Sequence, residues 1–182
     1  MDEKRAMLKK IADLEYQFFS KIDATNPECK REGTFKFMHI SRFYPYSEEI
    51  LLSYMEDLER ARKEGRNPIY EKYACMEGKV NMAEEKREII EKIVEIKKSW
   101  INELHKKYPH VIEDRSKDFQ RYLSCELSTF SLRTLKSYLE DVERAAKTGR
   151  NLALESYHYT FSQLGYSSLE EVEKKLKREK GL

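Results

Sequence analysis

Glycine and proline are scarce in this 182-residue chain, at six and four residues. An all-β fold needs a tight turn every few residues and would draw on far more of both, so that class is set aside. Cysteine is rare as well. Cys29, Cys75 and Cys125 are odd in number, far apart and without C-x-x-C spacing, which argues against a disulfide framework or a zinc site and for a reducing cytoplasm. No apolar run approaches the roughly 20 residues that span a bilayer, so no membrane association is expected. Residues 1–10 are charged and lack the apolar centre of a secretory signal. An excess of one charge is missing too. The net charge is +2, and residues 1–81 carry 15 basic and 15 acidic side chains against 20 and 18 in the remainder. Nucleic-acid binding draws on a pronounced basic excess and is not expected. The chain also lacks a P-loop, a G-x-S-x-G elbow, an H-E-x-x-H helix and a Rossmann glycine pattern, so the expectation leans away from an enzyme.

What is present favours helices. Charged residues make up 37% and hydrophobic residues 40%, and the long straight side chains of Lys, Glu and Arg lose little rotamer freedom in a helix. Gln occurs only at 17, 120 and 163, a Lys/Glu-rich composition that thermophilic proteins share. Leu8, Ile11, Leu14, Phe18 and Ile22 recur at helical spacing and predict a first helix over about 2–24.

The strongest signal is an internal repeat. Residues 53–67 recur as residues 137–151, an offset of 84, with eleven of fifteen positions identical. The first helices align at an offset of 82, where Leu8, Ile11, Leu14 and Phe18 match Ile90, Ile93, Ile96 and Trp100. The expected fold is all-α: a tandem duplication of a four-helix unit, residues 1–80 and 81–182, packed as a bundle with pseudo-two-fold symmetry and closed by a C-terminal helix over about 168–180. The two long first helices pair, or each packs on the other unit's third helix; the sequence leaves both open. Ser47 is a predicted N-cap, and Asn81 with Glu84 and Ser167 with Glu170 have capping-box spacing.

Gly-Arg-Asn occurs at 65–67 and 149–151. An anion site with two arginines is one reading. The structural reading explains more: Gly65 supplies positive φ at a helix end, Asn67 caps the next helix, and Pro68 fits its first position. Arg66 and Arg150 then pair with Glu71 and Glu155. Glu56-Asp57 and Glu140-Asp141 read as a solvated face in which Glu56 pairs with Arg60 and Glu140 with Arg144. Glu155-x-x-His158 has di-iron spacing, but the equivalent Glu71-x-x-Ala74 supplies no second pair, so no metal centre and no cofactor are expected. His105 and His110 read as surface residues.

The repeat breaks around the second helix of the first unit. Leu123, Cys125 and Glu126 stand at the places of His39, Ser41 and Arg42. Such asymmetry can mark an acquired task. The candidate ligand-binding residues are Cys29, His39, Arg42, Tyr44, Arg66, Glu71 and Tyr73. A thiol beside basic residues becomes more reactive, and Arg with Tyr can hold an anion.

Thr34-Phe35-x-x-Met38-x-x-Ser41-x-Phe43, Glu49-x-Leu51-x-x-Tyr54-x-x-Asp57-Leu58, Gly65-Arg66-Asn67, Glu71-Lys72-Tyr73 and Gly165-Tyr166-x-Ser168-Leu169-Glu170 resemble the bacterial and archaeal family catalogued as domain of unknown function 4125. The resemblance covers nearly the whole chain. It implies an all-helical fold and brings no activity with it. Members resembling this chain carry Cys-Gln-Asp-Asp before the Thr-Phe pair. Here Lys30, Arg31 and Glu32 follow Cys29, His39 stands for an Arg and Arg42 for a Gln. The expected function is a non-enzymatic helical protein that binds a protein partner or forms a homodimer. The alternative is an anionic-ligand binder or enzyme with a pocket near the second helix.

Overall fold

A computed structural model describes residues 2–22, 31–112 and 116–181, which form nine α-helices and no strand. They are α1 (Asp2–Phe19), α2 (Glu32–Phe43), α3 (Glu48–Lys63), α4 (Pro68–Met76), α5 (Glu84–Lys107), α6 (Ser116–Ser128), α7 (Leu132–Lys147), α8 (Leu152–Gln163) and α9 (Leu169–Glu179). The expected loop through Asn26 and Pro27, and Cys29 with it, lies outside the described residues.

α9 falls within one residue of the expected 168–180 at each end, whereas α1 stops at Phe19, short of the expected 24, where Ser20 Oγ turns back to the Gln17 carbonyl at 3.0 Å. The hydroxyl competes with the helix for a backbone acceptor. Two expected capping boxes are corrected. Ala83, with no capping side chain, precedes α5 in place of Asn81. Ser168 rather than Ser167 caps α9, accepting from the Glu171 amide at 3.2 Å, while Glu171 returns to the Ser167 amide at 2.8 Å. Leu169, the first residue of α9, is fully buried.

The joint after α3 follows the sequence reading. Gly65 has φ +69°, the Arg66 amide reaches the Ala61 carbonyl at 2.9 Å, and Asn67 Oδ1 accepts from the Ile69 and Tyr70 amides at 3.1 and 3.2 Å. A side chain at position 65 would strain that left-handed backbone. Asn67 Nδ2 also donates to the Phe18 carbonyl at 2.9 Å, tying the joint to the end of α1. Gly149, Arg150 and Asn151 repeat the arrangement after α7, with Asn151 Nδ2 on the Trp100 carbonyl at 3.3 Å.

Neither expected pairing of the long helices forms. α1 packs on α3 and α2, and α5 packs on α7 and α6. The halves meet through α3 against α7, with α2 on α8 and α4 on α6. One core runs through both halves, built from Leu8, Ile11, Phe18, Ile50, Leu51 and Leu58 on one side and Ile90, Ile93, Leu127, Leu135 and Val142 on the other. The apolar stripe of each long helix is thus consumed by its own third helix, which leaves α3 and α7 to make the central contact.

Of the four carboxylates expected on a solvated face, Glu140 is exposed and Glu56 partly exposed, but Asp57 and Asp141 turn inward at that contact. Asp57 Oδ2 accepts from the Ser131 amide at 2.9 Å and the Thr134 hydroxyl at 2.7 Å, and Asp141 Oδ2 accepts from the Ser47 amide at 2.8 Å. Each aspartate thereby serves the N-terminus of the opposite helix, where the dipole favours negative charge. Ser47 sits at the N-cap of α3 without a side-chain capping bond, and its own amide donates to Asp141. Arg60 and Arg144 accordingly pair with Asp57 and Asp141, at 3.2 and 3.4 Å, rather than with Glu56 and Glu140. Glu56 reaches across to Arg133 at 2.6 Å.

A smaller core gathers Leu104, Tyr108 and Ile112 around Leu169 of α9, which covers the end of α5. His105 and His110, expected at the surface, are half-buried there. His105 Nδ1 lies 2.6 Å from the Ile112 carbonyl, and His110 meets Glu173 of α9 through both its ring and its backbone amide.

Candidate functional site

Glu15 lies on the apolar stripe of α1, four residues after Ile11 and three before Phe18, so the helix carries its carboxylate into the core. Its residue exposure is 3%. An isolated buried carboxylate would be very costly, and the neighbouring elements supply it with partners. Tyr54 of α3 donates its hydroxyl to Glu15 Oε1 at 2.7 Å. His39 Nδ1 stands 2.5 Å from Oε2, and Arg42 Nη2 donates to Oε1 at 3.2 Å. His39 and Arg42 are three apart on α2 and share one face, both reaching Glu15.

Arg42 then bridges the two halves. Its Nη1 donates to Glu126 Oε1 of α6 at 2.5 Å. Lys72 of α4 is buried with its ammonium 3.7 Å from the same oxygen, and it donates to Tyr122 at 2.9 Å. The charges therefore alternate along Glu15, Arg42, Glu126 and Lys72, with the His39 ring against Glu15. Burial would raise the Glu15 carboxyl, but His39, Arg42 and Tyr54 outweigh it and hold its pKa at about 2. Burial opposes the charged form of Glu126 as well, and Arg42 and Lys72 overcome it and lower its pKa. The reverse holds for Lys72, which burial would lower but Glu126 and Tyr122 raise.

The void at this cluster is about 20 Å³, bounded by Glu15, His39, Tyr54, Lys72 and Glu126. That is room for one water. Arg42 Nε is the buried side-chain atom in the cluster without a hydrogen-bond partner. Among the described residues no group of three or more His, Cys, Asp or Glu is placed to hold a metal ion. Among the described residues no helix is long and apolar enough to cross a membrane.

The other candidate residues separate. Tyr44 stacks on Tyr159 of α8 with ring centroids 3.9 Å apart. Arg66 lies at the α3–α4 joint, where Nε and Nη2 hold Glu71 in a two-pronged pair, both at 2.9 Å. The matching Arg150–Glu155 pair has distances of 2.8 and 2.7 Å, which leaves Glu155 engaged and His158 exposed. Tyr73 is partly exposed, its ring 5.2 Å from the Lys72 ammonium. Cys29 lies outside the described residues.

Sequence reasoning missed Glu15, Tyr54, Lys72 and Tyr122 as partners. Glu15 had a signal: a carboxylate inside an apolar stripe. Lys97, its match at an offset of 82, is the second signal. It donates to Tyr138 at 2.7 Å and to Tyr46 at 3.1 Å, as the acidic Glu15 accepts from Tyr54. The two halves place opposite charges at the same step of the helix.

The expectation that the cysteines stay unpaired is overturned. Cys75 of α4 and Cys125 of α6 form a disulfide with Cα atoms 5.5 Å apart, beside Lys72 and Glu126. Fifty residues separate them, so spacing alone carried no hint. The α4–α6 contact brings them together.

Comparison with curated proteins gives no match, and comparison with solved structures gives none. A family model described as "protein of unknown function (DUF4125)" matches residues 5–174, nearly the whole chain. The chain belongs to the DUF4125 family of proteins of unknown function.

Proposed function

We propose that this is a non-enzymatic helical protein that associates with a protein partner or with a second copy of itself. The observation that carries this reading is a ridge of exposed tyrosines along α4 and α6. Tyr70 is 62% exposed, and Tyr73 and Tyr122 are each 38% exposed. Tyr70 and Tyr73 are one turn apart on α4, and the rings of Tyr73 and Tyr122 flank the Lys72 ammonium at 5.2 and 4.5 Å. Tyrosine is enriched at interfaces because it contributes large apolar area with few rotatable bonds. The disulfide fastens the two helices that carry the ridge, so its shape exists before any partner arrives. The alternative of an enzyme or ligand pocket at His39 and Arg42 gains little support, since the cluster satisfies its own charges and leaves room for one water.

The same reading takes the chain as a tandem duplication of a four-helix unit, residues 1–80 and 81–182, with a pseudo-two-fold axis at the α3–α7 contact and α9 as an addition. Its support is reciprocal bonding: Asp57 to Ser131 and Asp141 to Ser47, with Arg66–Glu71 matched by Arg150–Glu155. A cytoplasmic location belongs to the proposal too. There the disulfide would be unusual for a mesophile but ordinary for a hyperthermophile, which the Lys/Glu-rich composition accommodates.

Sedimentation velocity and native mass spectrometry of the purified protein test the association. A dimer or a bound protein, lost on replacing Tyr70 and Tyr122 with Ser, is the expected result. A bare monomer at every concentration, with no protein captured by crosslinking in cells, would overturn it.

A further inference from the structure

A second polar cavity adjoins the Glu15 cluster, with Tyr54, Leu58, Pro68 and Thr129 lining both. It has a volume of about 100 Å³ and is walled by Arg60, Arg66, Lys86, Asp57, Thr129 and Ser131. At roughly 30 Å³ per water, that is the space of about three waters or of one small polyatomic ion. The charges around it are unevenly satisfied. Asp57 spends Oδ2 on the Ser131 amide and Thr134 hydroxyl and Oδ1 on Arg60. Arg66 holds Glu71 and Glu64. Lys86 is left over. Its ammonium donates to the neutral Ser128 carbonyl at 2.9 Å, and among the described residues it forms no ion pair with a carboxylate. Burial lowers its pKa, and Asp57 offsets that only in part.

The other half of the chain carries the same cations. Lys4, Arg144 and Arg150 stand at the repeat offsets from Lys86, Arg60 and Arg66, with Asp141 in place of Asp57. Burial lowers the Lys4 pKa as well, ahead of the opposing pull of Glu48 and Asp141. A partly buried lysine with no ion pair among the described residues therefore occurs twice, Lys86 near Asp57 and Arg66 and Lys4 near Asp141 and Arg150.

We propose that the Lys86 cavity is a binding site for a small oxyanion, free or as the head group of a small molecule, with Lys86 as its principal cation and Arg60 and Arg66 as walls. The ammonium supplies the unmatched positive charge, while the hydroxyls of Thr129 and Ser131 line the facing side with their protons already given to the Glu126 carbonyl and the Thr134 hydroxyl. Lys86 in contact with the anion becomes harder to deprotonate, since an adjacent negative charge favours the ammonium form.

The test titrates inorganic phosphate, sulfate and acetate into the full chain by calorimetry, with lysine NMR of reductively methylated protein as a second readout. Phosphate or sulfate is expected to bind at about 10 mM or below and to raise the Lys86 pKa. Lys86→Gln should weaken binding by about tenfold or more, the usual effect of losing a charge-assisted contact, while Lys92→Gln on the outer face of α5 should not. Preference for acetate over the tetrahedral ions would reassign the ligand to carboxylates within the same proposal. If Lys86→Gln fails to fold, Arg60→Gln serves in its place. No binding of any of the three ions, or binding unchanged in the variant with the Lys86 resonance unmoved, would overturn the site.

Discussion

Arg42 and Glu126 form an ion pair, Nη1 to Oε1 at 2.5 Å, and they stand 84 residues apart, the offset at which the sequence repeats. Arg42 on α2 and Glu126 on α6 carry opposite charges at positions 84 apart, and the two meet between those helices. A residue that faced its own kind across such a contact would be repelled. Opposite charges instead link the halves, and Glu15 and Lys72 extend the link outward on either side.

Removing one member of this chain should be more damaging than removing an exposed pair. Glu126→Leu leaves Arg42 and Lys72 facing each other without their shared acceptor, at a cost of about 3 kcal/mol, in the range for breaking a buried pair. In a chain of this size that lowers Tm by about 6–12 °C, measurable by calorimetry. Glu88→Ala, which removes an exposed i,i+4 pair with Lys92, should stay within about 0.5 kcal/mol.

Acid stability follows from Glu15. Its folded pKa of about 2 lies below the ordinary 4.5, so its contribution is fully present above pH 4.5 and is lost as pH falls through about 2. The difference corresponds to about 3 kcal/mol by linkage. Denaturant midpoints between pH 5 and 2 should fall steeply for the wild type and less steeply for Glu15→Gln. Equal slopes would mean that Glu15 is not held in its charged form by His39, Arg42 and Tyr54.

The cross-capping aspartates give a third measurement. Asp57→Ala removes the acceptor for the Ser131 amide and Thr134 hydroxyl and should cost about 1–2 kcal/mol, the scale of a lost N-cap. Asp141→Ala should cost a similar amount, since Ser47 loses its acceptor too. Glu140→Ala, on the exposed neighbour, should be close to neutral.

Cysteine state is directly countable. Alkylation of the denatured, unreduced protein should add one label, and reduction beforehand should raise this to three. Because the bridge closes a span of 50 residues, chain-entropy arguments give it about 4 kcal/mol. Cys75→Ser with Cys125→Ser should lower Tm correspondingly. Three labels without reductant would show that the two sulfurs meet without bonding.

Much of the architecture was legible in the residues taken in order. The helices, their apolar stripes and the Gly65-Arg66-Asn67 joint depend on interactions within a turn or two, where spacing and backbone preference act directly. The pairing of Arg66 with Glu71 is of the same kind, five residues apart. Asp57 misled because its near neighbours look like a solvated face. Its actual partners, Ser131 and Thr134, are more than 70 residues away. Which helices touch, which charges are buried and which cysteines meet were decided only when the two halves packed. Burying a charge is tolerable only where another element delivers its partner, and that delivery is a property of the assembled bundle. The sequence alone set the helices and their inner faces; the tertiary contact turned Glu15, Arg42, Glu126 and Lys72 into one network, because in a low-dielectric core such groups persist only together.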